Sequence, residues 1–174
     1  MKELILGGTR SGKSQLAEQH ALESGLDVVY LATAQVGDDE EMRDRILHHQ
    51  RRRPEHWGLV EVGPDLSAAL QQQAAPDRCL LVDCLTLWLT HLLWNESPER
   101  CRLEQDKLLQ VLPELPGSII MVSNETSLGV IPMGEITRAF LDQAGFMHQQ
   151  VAGLCDRVVF TVAGLPLVLK GELS

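Results

Sequence analysis

The sequence predicts an α/β domain built on a mostly parallel sheet with helices on both faces. Three observations predict it. Short apolar runs of strand type alternate with helical patterns along the chain, the signature of a parallel sheet with crossover helices. The first run, Leu4 to Leu6, passes straight into a glycine-rich loop and then a helix. The last two runs are separated by only Ala163-Gly164, which predicts an antiparallel pair at one edge.

The elements follow in order. After the first strand and its loop, a helix is expected from about Lys13 to Ser24. A Gly25-Leu26-Asp27 turn opens a strand at Val28 to Thr33. Asp38 to Arg53 reads as a helix stopped by Pro54. Leu59 to Val62 is a weak strand, and Asp65 to Ala74 a helix with Asp65 as a candidate N-cap. Cys79 to Val82 is a buried strand. Leu85 to Asn95 and Glu99 to Leu112 are helices broken by Ser97-Pro98, and Ser118 to Ser123 is a strand. Gly134 to Leu154 is helical with glycine interruptions. Arg157 to Val162 and Leu165 to Leu169 close the sheet.

A chain of 174 residues with 44% hydrophobic content suits one domain, spanning residues 1–174. No run of 18 apolar residues occurs, so no membrane span is expected. The N-terminal apolar stretch is too short for a secretory signal, which points to a cytoplasmic protein. The cysteines Cys79, Cys84, Cys101 and Cys155 form no Cys-x-x-Cys pair, so free thiols are expected rather than a zinc site. A formal net charge of −9 repels a phosphate backbone and argues against a nucleic-acid partner.

The loop Gly7-Gly8-Thr9-Arg10-Ser11-Gly12-Lys13-Ser14 fits G-x-x-x-x-G-K-[ST] in full. Glycines let the backbone curl so that successive N–H groups point at phosphate oxygens. Lys13 brings a charge to the β and γ phosphates, and Ser14 a hydroxyl to Mg²⁺. The helix that starts there aims its positive end at the anion. The pattern therefore predicts a P-loop that binds a nucleoside triphosphate. Such a loop wants an acidic residue at the end of another strand to hold Mg²⁺ through water. Asp83, after Leu80-Leu81-Val82, fits that role, although it could also cap the next helix. Glu125, after Ser123-Asn124, ends a second strand at the same edge and is either a site residue or a loop carboxylate. The Asn-Lys-x-Asp element that reads guanine in switch GTPases is absent, so motifs do not settle the base.

Asp38 to Arg53 carries five acids and five arginines, with the acids early and Arg51, Arg52 and Arg53 at the end. That order suits the helix dipole, yet three adjacent arginines beside His48-His49 also make a local anion site. At about 100° per residue, Met42, Ile46 and His49 share one face within about 60°, while His48 lies about 200° from Ile46. His49 therefore looks inward and His48 outward. Periodicity alone favours an ordinary buried histidine at His49; a nucleophile toward phosphorus is the other reading.

Several segments together resemble one family. They are the loop above, Ala32-Thr33-Ala34, Arg45-Ile46-Leu47-His48-His49 and Arg53-Pro54-Glu55-His56-Trp57. Asp83-Cys84-Leu85-Thr86, Ser123-Asn124-Glu125, Gly129-Val130-Ile131-Pro132 and Gly164-Leu165-Pro166-Leu167 complete the set. In this order they resemble the bifunctional adenosylcobinamide kinase / adenosylcobinamide-phosphate guanylyltransferase family of cobalamin biosynthesis, over nearly the whole chain. The resemblance implies a RecA-like P-loop fold and two reactions. A nucleoside triphosphate, ATP or GTP, phosphorylates the aminopropanol hydroxyl of adenosylcobinamide. GTP then guanylylates a histidine, His49 by motif position, and the substrate phosphate takes the GMP. The resemblance also implies nucleotide contacts at Ala32, Thr33, Ala34, Gln50, Arg51, Arg52, Arg53, Glu61 and Asp83, with Mg²⁺ near Ser14 and Asp83. It implies a homo-oligomer, since members can assemble as trimers. The chain departs from the family's usual pattern at His91 and His148, where Asn is frequent, and at Phe146, where Arg or Leu is usual. A P-loop kinase for another small metabolite and a nucleotide-dependent regulatory switch are the competing readings.

Overall fold

The computed structural model describes residues 1–34 and 54–172. The helix expected over Asp38 to Arg53, with His48 and His49, lies outside the described residues. Seven strands form one sheet: β1 (Lys2–Gly7), β2 (Asp27–Ala32), β3 (Gly58–Glu61), β4 (Arg78–Asp83), β5 (Ser118–Asn124), β6 (Arg157–Val162) and β7 (Leu165–Lys170). Their spatial order is β3-β2-β4-β5-β1-β6-β7. Every neighbouring pair is parallel except β6 and β7, which pair antiparallel across the Ala163-Gly164 turn. Both turn residues have positive φ, 52° and 79°, as a tight two-residue hairpin turn requires.

The helices are α1 (Lys13–Glu23), α2 (Leu66–Gln73), α3 (Leu85–Asn95), α4 (Pro98–Val111) and α5 (Glu135–Leu154). Strand alternation sends side chains to opposite faces, and each face is covered. On one face, Ile5, Leu81, Ile120 and Val122 pack with Ala17 and Ala21 of α1. On the other, Leu4, Leu80, Ile119 and Met121 pack with residues of α2 to α5, among them Leu70, Trp88, Leu108 and Met147. Trp88 is buried in this second core and donates its indole N–H to the Pro64 carbonyl at 2.8 Å, which satisfies its one polar atom. Trp94 is exposed and tilts against Phe140.

Two local expectations are corrected. Asp65 stands at the N-cap position of α2, but its side chain does not cap; it pairs with Arg100 of α4, and so ties two helices together. The α5 helix runs unbroken through Gly145 and Gly153, because both glycines face open space and nothing forces a kink there. The Ser97-Pro98 break behaves as expected: the Ser97 hydroxyl accepts from the Arg100 N–H at 3.2 Å, with Pro98 in the first turn. No described helix is long and apolar enough to cross a membrane.

A buried ion cluster closes the amino-terminal edge. Arg157 of β6 donates from Nε and Nη2 to the two carboxylate oxygens of Glu3, at 2.7 and 2.9 Å. His20 of α1 lies 3.0 Å from the same carboxylate. Burial works to raise the Glu3 carboxyl, yet the bonds from His20 and Arg157 outweigh it and hold Glu3 below the ordinary range.

Candidate active site

All parallel strands deliver their carboxyl ends to one edge, where ligands of such sheets collect. The register sets the spacing along it. Gly7 pairs with Asn124, Asp83 with Val122 and Ala32 with Glu61. Glu61 is therefore four strands from the glycine loop, about 19 Å at roughly 4.8 Å per strand.

The loop between β1 and α1 turns on two left-handed residues, Arg10 (φ 58°) and Gly12 (φ 97°). The Ser11 N–H closes onto the Gly8 carbonyl at 3.2 Å. Gly12 is the N-cap of α1 and no side chain caps that end, so the first-turn N–H groups present their dipoles to the loop's hollow. Thr9 and Arg10 are exposed, Ser14 is half-buried, and Lys13 is buried with Nζ donating to the Gly8 carbonyl at 3.0 Å. Burial pulls the Lys13 ammonium below its ordinary value, while Cys84 and Asp83 push it back up.

The loop is braced from the far end of the chain. Ser11 Oγ and Thr161 Oγ1 are 2.8 Å apart, and Thr161 Oγ1 also donates to the Leu6 carbonyl at 3.1 Å. The Gly164 N–H donates to the Ser11 carbonyl at 2.8 Å. Any side chain at Gly7 would strike Thr161 and Ser11, and one at Gly12 would come 3.1 Å from Gly164 Cα. Thus both motif glycines are required by the hairpin that leans on them. Thr161 and Gly164 are site residues the motif does not announce, and their partners sit about 150 positions away.

Two strands over, the Tyr30 hydroxyl donates to Asp83 Oδ2 at 2.8 Å. Burial, with the Asp83 charge adding to it, raises the phenol, so Tyr30 stays a donor. Asp83 does not cap α3; the N-cap is Cys84, whose thiol burial pushes up to about 12 with Asp83 contributing. Thr33, also part of the expected set, spends its hydroxyl on Cys84: it donates to the Cys84 carbonyl and accepts from the Cys84 N–H, both at 2.7 Å. Ala32 and Ala34 flank it half-buried, and Glu61 is exposed. The donor set near the loop, one hydroxyl and one carboxylate, fits Mg²⁺, which keeps most of its waters and takes its other oxygens from phosphates. Among the described residues no group of three or more metal-ligating side chains forms. His49, Gln50, Arg51, Arg52 and Arg53 lie outside the described residues.

A second polar cluster sits behind β5. His148 of α5 is buried, with Nε2 2.7 Å from Ser123 Oγ. Ser123 Oγ is 2.9 Å from Thr86 Oγ1, which accepts from the Asn124 N–H at 2.6 Å. His148 Nδ1 faces Glu125 Oε2 at 3.9 Å. Burial pulls the His148 imidazole below its ordinary value, and Glu125 acts in the opposite sense. Of the departures noted in the sequence, His148 is thus interior and bonded, Phe146 is exposed, and His91 pairs with Asn95 at 3.1 Å. Beyond Glu125 the chain exposes Leu128, Val130, Ile131 and Met133.

A strand, a glycine loop with its lysine, a helix N-terminus and an acidic residue two strands away define a P-loop nucleotide-binding protein. Solved structures agree on the fold. The flagellar accessory protein FlaH of Methanocaldococcus jannaschii superposes with a TM-score of 0.52 at 14% identity, over 98% of this chain and 78% of that one. The RadB recombinase does so at 0.53 and 18%, over 91% and 73%. The fold is therefore of the RecA-like P-loop type. Sequence narrows this further: the family described as cobinamide kinase / cobinamide phosphate guanyltransferase matches residues 3–169, and the chain belongs to it. The bifunctional adenosylcobalamin biosynthesis protein CobP of Pseudomonas aeruginosa is 59% identical over 172 residues, 99% of each chain. The corresponding CobU of Escherichia coli is 33% identical, over 98% of this chain and all of that protein.

Proposed function

We propose that the chain, as a single domain over residues 1–174, carries out both reactions of its family on adenosylcobinamide. The observation that carries this reading is a phosphate loop, braced at Ser11 by the β6–β7 hairpin, in a chain that matches the family over residues 3–169. In the first step the substrate hydroxyl attacks the γ-phosphorus of ATP or GTP and the nucleoside diphosphate leaves. Lys13 and the first-turn N–H groups of α1 neutralise the charge that develops on the phosphate oxygens. Ser14 and Asp83 would hold Mg²⁺, which shields that charge when bound, and Tyr30 keeps the Asp83 carboxylate turned to one side.

In the second step a His49 nitrogen attacks the α-phosphorus of GTP, the bond to pyrophosphate breaks, and GMP stays on the histidine. The phosphate of the phosphorylated substrate then attacks the same phosphorus and the imidazole leaves. Arg51, Arg52 and Arg53 follow closely on His49 and supply positive charge for this exchange, and Gln50 between them offers a neutral amide for hydrogen bonding. Ala32, Thr33, Ala34 and Glu61 lie toward the β2–β3 end of the edge, away from the loop, and suit contacts to the nucleoside. A triphosphate-consuming enzyme belongs where triphosphates are made, and we place it in the cytoplasm. We also expect a homo-oligomer, trimers included, with no nucleic-acid partner.

The test incubates the full chain with cobinamide, GTP or ATP, and Mg²⁺, and follows products by chromatography. Phosphorylated and guanylylated cobinamide are expected in sequence. Nucleotide binding without either product would favour a regulatory switch, and phosphorylation of a different acceptor would favour another metabolite kinase.

A further inference from the structure

We propose that Glu125 takes the proton of the acceptor hydroxyl during phosphoryl transfer, and that His148 is the residue that positions it. The inference rests on the kinase reading above and adds the base that reading lacks.

Placement comes first. The Glu125 N–H donates to the Gly7 carbonyl at 3.0 Å, which fixes its backbone one strand away from the start of the phosphate loop. The two faces of the sheet then separate the roles. Val122 packs with α1, and so do Leu81 and Tyr30, beside which Asp83 lies. Met121 packs with Met147 and Val151 of α5. Alternation sends Ser123 to the α5 side, where it bonds His148, and Glu125 follows on that side. Phosphoryl transfer requires the attacking and leaving oxygens roughly in line. The N-terminus of α1 is the pole that holds phosphates. Under this assignment the acceptor sits on the side of the edge away from α1, where the Glu125 carboxylate lies. Asp83 is on the wrong side for that role and already accepts from Tyr30.

Support comes second. The Ser127 N–H donates to Glu125 Oε1 at 2.6 Å, with the Ser127 hydroxyl on the same oxygen. The other oxygen faces His148 Nδ1 at 3.9 Å, beyond a direct hydrogen bond, so the buried ring bounds the space the carboxylate can occupy. His148 is in turn held through Ser123 and Thr86 to the Asn124 N–H. A buried polar chain is retained at a cost unless each member is satisfied. This one links α3, β5 and α5, and it ends beside the half-buried carboxylate of Glu125. The Glu125 side chain keeps 16% of its surface exposed, enough to pass a proton to water.

The step balances. The hydroxyl oxygen forms its bond to the γ-phosphorus, and the bond from that phosphorus to the β–γ bridging oxygen breaks. The electron pair leaves with the nucleoside diphosphate, and the hydroxyl proton goes to Glu125 and then to solvent.

The experiment compares the full-length parent with Glu125→Gln, Glu125→Asp, His148→Gln and His148→Leu. One assay follows phosphorylation of cobinamide; the other follows guanylyl transfer to cobinamide phosphate, which has no hydroxyl to deprotonate. Glu125→Gln should lower kcat for phosphorylation about 100-fold or more, with nucleotide KM little changed and a far smaller loss in guanylyl transfer. Glu125→Asp, which keeps the carboxylate, should retain part of the rate that Glu125→Gln loses. His148→Leu should lower the phosphorylation kcat, and His148→Gln, whose amide reaches the place of Nε2 and can still bond Ser123, should restore most of it. Phosphorylation by Glu125→Gln at nearly the parental rate, or equal loss of both reactions, overturns the assignment. A parent that phosphorylates no cobinamide overturns the kinase reading itself.

Discussion

The Gly164 N–H and the Ser11 carbonyl meet at 2.8 Å, so the last hairpin of the chain is hydrogen-bonded to the phosphate loop near its start. Thr161 adds a second brace through Ser11 Oγ. A loop that must hold its N–H groups in a fixed curl before the anion arrives gains from such support, because ordering costs are then met in folding rather than in binding.

Thr161→Val keeps the volume and removes the hydroxyl, leaving Ser11 Oγ without this partner in a buried setting. The unmet group should cost about 1–3 kcal/mol, shared between stability and loop order. Nucleotide titration and urea unfolding on the same sample should show weaker binding together with an earlier midpoint. Unchanged affinity would mean the hairpin is only a neighbour of the loop.

Lys13→Ala removes the charge proposed to meet the γ-phosphate and should lower both reactions by about 100-fold or more, since charge stabilisation of this kind is usually the largest catalytic contribution. Steady-state rates of phosphorylation and guanylyl transfer check it. Normal turnover would contradict the loop's role.

Asp83→Asn keeps a hydrogen-bonding side chain but loses the charge, and should shift the Mg²⁺ dependence of nucleotide binding to higher concentration. Tyr30→Phe should shift it in the same direction by less, because the carboxylate survives and only its orientation is freed. Superimposed Mg²⁺ titrations of parent and Asp83→Asn would remove Asp83 from the site.

The Glu3–Arg157–His20 cluster sets an acid limit. Glu3 titrates below its ordinary value of 4.5 in the folded protein, so its contribution is complete above that value and is lost as pH falls through the lower folded value. Glu3→Gln leaves the Arg157 charge buried and should cost about 3–5 kcal/mol near neutral pH. The gap between parent and variant urea midpoints should narrow as pH falls below the ordinary carboxyl value of 4.5. A gap that stays constant over that range would show that Glu3 does not titrate with folding.

What the sequence made legible is what is local. The β1-loop-α1 unit, the position of Asp83 and the hairpin at Ala163-Gly164 all follow from signals within a dozen residues. Asp65 holds the N-cap position that local spacing marks, but the arginine that takes its side chain comes from another helix and has no local signal. Thr161 and His148 were not legible as site residues, since their partners Ser11 and Ser123 are set by sheet order and helix packing rather than by spacing. Gly164 stood within a recognised segment, yet only the structure gives it a partner. Glu125 was visible as a strand-end residue, but nothing in the sequence said which face it takes.

The central claim is a guanylylated His49, and intact-protein mass after incubation with GTP and Mg²⁺ tests it most directly. Parent protein and His48→Ala should each gain one GMP, with the modified peptide mapping to His49, and His49→Ala should gain none. An adduct that persists in His49→Ala, or that maps to His48, or no adduct on the parent at all, would contradict the account.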